Sequence, residues 1–199
     1  MPCLLCSATH LVQVLTGPSV DHCAGNGCQS VFVLQPRGLV ESRQFLTQDA
    51  VLDCCWSECN ANQLISACGD GSLKLWDLSL PGTRPLIAFK EHLKEVHAVS
   101  WNLVNKDSFL SASWDGQVKH WSPASPQSLA TWRLPAQGSV YSVAWSPRWA
   151  STFATGSQDK MLKVSSLRAL QQVFVQGSLN HARTGVGRSL TAGLPNQRF

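Results

Sequence analysis

The 199 residues carry a net charge of +4 and a hydrophobic fraction of 44%, ordinary for a chain with one sizeable core. The charge is uneven: residues 1–159 hold all 12 acids and 10 of the 16 basic residues, and residues 160–199 hold six basic residues and no acid. The basic balance therefore belongs to the end of the chain and does not describe a nucleic-acid groove, and no apolar run is long enough for a membrane span.

In chain order, residues 1–9 give no clear element and are left unassigned. His10–Leu15 and Val31–Leu34 read as strands, with Gly17-Pro18 and Gly25-Asn26-Gly27 as turn chemistry between them. Gln35–Gly38 is a turn and Gln44–Leu46 an outer strand, so residues 10–46 resemble the later part of a sheet whose first strand is missing or degenerate. The next unit, 51–89, has strands at Val51–Trp56, Gln63–Ala67, Leu73–Trp76 and Leu86–Phe89, with Gly69-Asp70-Gly71 as a hairpin turn. Residues 96–132 repeat this as Val96–Trp101, Ser108–Ala112, Val118–Trp121 and Ser128–Trp132. Residues 140–175 repeat it again as Val140–Trp145, Thr152–Thr155, Leu162–Val164 and Val173–Val175. Residues 176–199 have no periodicity and read as a basic, disordered tail.

The units share marked positions. Trp56, Trp101 and Trp145 are 45 and 44 residues apart, and Asp70, Asp115 and Asp159 show the same spacings. A repeat of that length, built of short strands between turn signals, is the signature of a β-propeller blade. The fold class is therefore all-β: an incomplete ring of about three to four blades over 10–175. The Trp ending each first strand is expected to pack between neighbouring blades. The Asp is expected to accept turn amides, and a His from the preceding loop where one exists. Only the third unit has the full set: His92, a Ser on the second strand (Ser111 or Ser113), Asp115 and Trp121.

With Trp76-Asp77 closing a third strand, the chain resembles the WD-repeat family. Lys90-Glu91-His92-x-x-Glu95-Val96, Ser111-Ala112-Ser113-Trp114-Asp115 and Ser66–Asp77 narrow the resemblance to the receptors for the type 2 peroxisomal targeting signal, over roughly residues 20–175. Such receptors have about seven blades, so the resemblance implies a truncated chain. It departs from the pattern at Thr47 and Ala136, where His belongs, and at Ser165-Ser166, where Trp-Asp belongs. The resemblance implies a cytosolic receptor, shuttling to the peroxisome, that binds proteins bearing the N-terminal type 2 signal and delivers them for matrix import with a co-receptor peroxin.

That signal is an amphipathic helix carrying Arg and His, which needs an apolar groove and carboxylates. In WD propellers the residue before the turn Asp and those entering the first strand reach the narrow face. Here these are Gly69, Trp114 and Gln158, then Ala50, Glu95 and Ser139. Trp114 and Glu95 are the leading candidates for cargo contact, followed by Asp53 and Gln158. Their bland alternative is a packed Trp and a solvated Glu. Trp56, Asp70, Trp76, His92, Trp101, Asp115, Trp121, Trp145 and Asp159 are assigned structural roles.

A generic scaffold, such as a histone-binding or ubiquitin-ligase adaptor, is the alternative; the extra N-terminal helix or long insertion expected of it is not visible. An enzyme is not expected. His10, His22, His97, His120 and His181 are scattered without partners at catalytic spacing. No cofactor or metal is expected either, because Cys3-x2-Cys6 and Cys54-Cys55…Cys59 lack a second ligand pair. All eight cysteines precede residue 69 and no secretory signal opens the chain, so free thiols in a reducing compartment are expected.

Overall fold

A computed structural model describes residues 4–7, 10–13, 27–133, 138–167 and 169–175. Expectations that fall on Leu15, Ala136, His22 and residues 176–199 lie outside the described residues.

Four antiparallel sheets of four strands follow one another along the chain. The first comprises β1 (Leu4–Ser7), β2 (His10–Gln13), β3 (Gly27–Gln35) and β4 (Gly38–Thr47). The second has β5 (Val51–Trp56), β6 (Gln63–Cys68), β7 (Leu73–Asp77) and β8 (Ile87–Phe89). The third has β9 (Val96–Trp101), β10 (Phe109–Ser113), β11 (Gln117–Trp121) and β12 (Ser128–Arg133). The fourth has β13 (Val140–Trp145), β14 (Thr152–Ser157), β15 (Leu162–Ser166) and β16 (Ala169–Val175). Each is a simple meander, every strand pairing with its sequence neighbour.

The first sheet differs from the sequence expectation. Its first strand is present: β1 pairs with β2 from Leu4↔Gln13 to Ser7↔His10. Four residues without a Trp end or an Asp turn give no repeat signal, and backbone pairing alone defines the strand. The outer hairpin is also longer than expected, with β3 and β4 paired from Gly27↔Thr47 to Gln35↔Gly38.

Register shows why the marked residues recur. Leu64, Phe109 and Phe153 lie opposite Trp76, Trp121 and Ser165 on the third strands. In the second, third and fourth sheets the turn that follows the second strand uses one carboxylate in one way. Asp70, Asp115 and Asp159 accept the N–H two residues on, from Ser72 (2.9 Å), Gln117 (2.9 Å) and Met161 (3.0 Å). The residue after each Asp has positive φ: Gly71 (78°), Gly116 (80°) and Lys160 (61°). Glycine suits that geometry; Lys160 adopts it at a steric cost.

The core is divided among the seams between sheets. One cluster joins Val31 and Phe45 of the first sheet to Val51, Trp56, Leu64 and Trp76 of the second. A second joins Leu73, Leu75 and Phe89 to Val96, Trp101, Phe109 and Trp121. A third joins Leu110, Ala112 and Val118 to Val140, Val143, Trp145 and Phe153. Trp56, Trp101 and Trp145, which close the first strands of the second, third and fourth sheets, thus pack back on the preceding sheet. Polar struts cross the same seams. Asp53 accepts the Val99 N–H (2.9 Å), and Ser100 Oγ accepts the Trp145 N–H (3.2 Å).

Candidate functional site

The third sheet is held by a buried polar chain. Trp121 Nε1–H donates to Ser111 Oγ (2.8 Å), Ser111 Oγ meets His92 Nε2 (2.7 Å), and His92 Nδ1 meets Asp115 Oδ2 (2.8 Å). Burial pushes the Asp115 carboxyl up, but His92 and the N–H groups of Leu93 and Gln117 outweigh it and hold the group below the usual carboxylate range. Of the two serines open at the sequence level, Ser111 is the member of this chain. Ser113 instead donates to the Lys94 carbonyl (3.1 Å). The grouping of Ser, His and Asp is no nucleophile site: the Ser hydroxyl is buried under Trp121, which takes its lone pair.

That chain fixes the loop Glu91–Glu95, and the loop presents the exposed face. The N–H groups of Gly69, Trp114 and Gln158 donate to the carbonyls of Ala50 (2.8 Å), Glu95 (3.0 Å) and Ser139 (2.9 Å), so each turn is tied to the residue entering the first strand of its own sheet. The six positions singled out on that face therefore meet pairwise, one pair per sheet. Between the second and third sheets an open depression of about 520 Å³ is lined by Gly69, Asp70, Leu93, Lys94, Glu95 and Trp114.

Trp114 stands at its rim, 37% exposed, and it is not alone. The His97 ring stacks flat on the indole, centroids 4.3 Å apart at 9°. Tyr141 of the fourth sheet meets both rings edge-on at 6.2 Å. Leu93, at 82% exposure, and Leu52 extend the apolar surface. The Glu95 carboxylate makes no hydrogen bond or ion pair among the described residues, so it is available to a ligand. Asp70 is committed to Ser72 and Lys74 (3.3 Å).

The remaining candidates are occupied by the fold. Asp53 uses one oxygen for Val99 and the other for the Cys54 N–H (2.8 Å), and burial raises its carboxyl above the ordinary value despite both bonds. It faces the seam and not the depression. Gln158 accepts the Ser139 N–H through Oε1 (3.2 Å) and braces the fourth sheet's turn. Sequence reasoning placed Trp114 and Glu95 together on one sheet, and the structure brings both to one depression. It missed His97 and Tyr141. The available signal was their shared place, second in β9 and β13, where Leu52 stands in β5.

A second overlooked set is Lys74, Lys119 and Lys163, buried at one register position and spaced like the tryptophans. Lys74 and Lys163 pair with the turn acids Asp70 and Asp159. In the third sheet His92 already holds Asp115, so Lys119 turns to Glu91 (3.0 Å).

Comparison with known proteins agrees with this architecture. A family profile described as WD domain, G-beta repeat matches residues 41–77 and 83–122. Each match starts in or just before one sheet's outer strand and ends with the third strand of the next sheet, so a repeat spans a seam. The peroxisomal targeting signal 2 receptor of Homo sapiens is 37% identical over 140 residues, covering 69% of this chain and 43% of that protein. The receptor of the same name from Saccharomyces cerevisiae is 46% identical over 108 residues, 54% of this chain and 28% of that protein. That from Dictyostelium discoideum is 46% identical over 81 residues, 40% of this chain and 26% of that protein. The chain thus spans less than half the length of these curated relatives. A chain from a crystal structure of the mitotic checkpoint complex superposes with a TM-score of 0.68 at 21% identity, covering 83% of this chain and 48% of that one, a likeness of fold. The chain thus carries WD-type repeats over residues 41–77 and 83–122, has the fold of an incomplete β-propeller, and is similar in sequence to the peroxisomal targeting signal 2 receptors.

Proposed function

We propose that this chain belongs to a receptor that binds proteins carrying the N-terminal type 2 peroxisomal targeting signal and brings them, with a co-receptor peroxin, from the cytosol to the peroxisome. Its role is recognition, not chemistry. The observation that carries the reading is the pairing of an exposed aromatic surface, Trp114 with Tyr141, with the unpaired carboxylate of Glu95 at the edge of one depression. An amphipathic helix with a cationic face needs those two features side by side: apolar area for one face and an acid for its Arg. The receptor names of the relatives support the same reading.

The test is capture of a synthetic type 2 signal peptide by the purified chain, with the same peptide carrying Glu in place of Arg as control. Capture of the first and not the second is expected. Glu95→Lys should abolish the difference, and Trp114→Ala should weaken capture by roughly tenfold or more, the weight of one interface anchor. Equal capture of both peptides by the parent chain would overturn the reading.

A further inference from the structure

We propose that His97 is a positioning residue of the cargo site: its ring is the platform that holds the Trp114 indole upright against Tyr141, and its charge state sets whether a cationic helix is accepted. The inference rests on the reading of the site given above and adds a residue and a regulation to it.

The geometry comes first. Trp114 sits in a turn, where a side chain that is 37% exposed has few neighbours to fix it. It is fixed here by a parallel stack on His97 at 4.3 Å, while Tyr141 closes the corner edge-on. Offset or edge-on ring pairs attract one another beyond the area they cover. A rigid indole costs less ordering when a ligand docks on it. His97 stands on β9 and points to the face that carries Glu95, two residues earlier in the chain.

Its charge follows from its surroundings. Burial lowers the His97 imidazolium below the ordinary histidine value, and the Glu95 charge opposes this in part. The ring is therefore neutral at pH 7 and takes a proton only below the usual range near 6.5. The groups that face it are Glu95 from the loop entering its own strand and Tyr141 from β13. The β10–β11 turn brings Asp115, whose carboxylate is turned inward to His92. β5 brings Asp53, bonded to Val99 and Cys54. Glu95 is thus the anion that both a proton on His97 and an incoming Arg would share. A protonated His97 satisfies that anion and repels the cationic helix, so acid weakens binding.

The experiment measures the dissociation constant of the type 2 signal peptide from pH 7.5 to pH 5.5 for the parent chain, His97→Phe and His97→Ala. The parent should weaken by roughly fivefold or more as the pH falls, the scale of one partly screened like charge. His97→Phe keeps the stack without the charge, so it should match the parent at pH 7.5 and lose the dependence; its difference from the parent cancels titration of the peptide. His97→Ala should bind about three- to tenfold more weakly at every pH, the weight of one ring pair. A parent and a His97→Phe curve that run parallel, or a His97→Ala affinity equal to the parent's, would overturn the inference and leave the receptor reading standing. No binding of the peptide by the parent at any pH overturns the reading itself.

Discussion

The third and fourth sheets share a backbone plan and differ in what fills it. In the third, Trp121, Ser111, His92 and Asp115 form one buried chain. In the fourth, Ser165 stands where Trp121 does, and the hydroxyl of Thr155, in the place of Ser111, has no hydrogen-bond partner among the described residues. Asp159 survives by pairing with Lys163. The turn thus needs an anchored carboxylate more than it needs a histidine. The seam needs ring volume more than it needs that ring on a fixed strand. Phe45 stacks on Trp76 (4.6 Å) and Phe89 meets Trp121 (5.4 Å). At the next seam the large ring moves to the outer strand, and Trp132 meets Phe153 (5.3 Å) beside the small Ser165.

The sharpest way to break this comparison is to truncate both equivalent positions. Trp121→Ala removes a fully buried ring and one of the two hydrogen bonds of Ser111 Oγ, leaving the bond to His92, and should cost about 3–5 kcal/mol. Ser165→Ala should change stability by less than about 1 kcal/mol. Urea unfolding followed by circular dichroism gives both values; similar losses would mean that the fourth sheet depends on its third strand as the third does. A smaller effect separates the turns. Lys160→Gly should stabilise by about 1 kcal/mol, because the left-handed backbone ceases to strain a Cβ. The reverse change, Gly116→Lys, should destabilise by at least that much, since a Cβ there would lie 3.2 Å from the Gly138 carbonyl. The same unfolding curves decide it, and a neutral Lys160→Gly would show the turn relaxed.

The smallest expected effect concerns the acid that the third sheet alone recruits. Burial raises the Glu91 carboxyl, but Ser128 and Lys119 outweigh it and hold the group at about 2. A depressed carboxyl contributes stability that is complete above its unfolded value, near 4.3, and is lost as pH falls toward the folded value. Glu91→Gln should therefore be less stable than the parent at pH 6, with a gap that narrows as the pH falls below the unfolded value and closes only toward the folded one. A gap that stays constant across that range would remove the ion pair from the account.

Strands were legible because Trp and Asp recur at one spacing, and each sits where backbone geometry leaves little choice: the end of a first strand and a two-residue turn. Trp114 and Glu95 were legible for the same reason, as offsets from those marks. The rest depends on contacts that no periodicity records. His97 looks like a scattered histidine until the turn folds Trp114 onto it. Asp53 looks like a surface acid until the neighbouring sheet brings Val99 to it. The three buried lysines recur as clearly as the tryptophans, yet a charged residue inside a seam contradicts the usual burial rule, and only the paired carboxylates explain it. β1 carried no mark at all.

The exchange of ring volume between Trp132 and Ser165 means that the sheets are keyed to their neighbours and are not interchangeable tiles. Trading the order of two repeats would set a bulky outer ring against another bulky ring at one junction and leave a hollow at the next. The order of assembly is thus written into side-chain size.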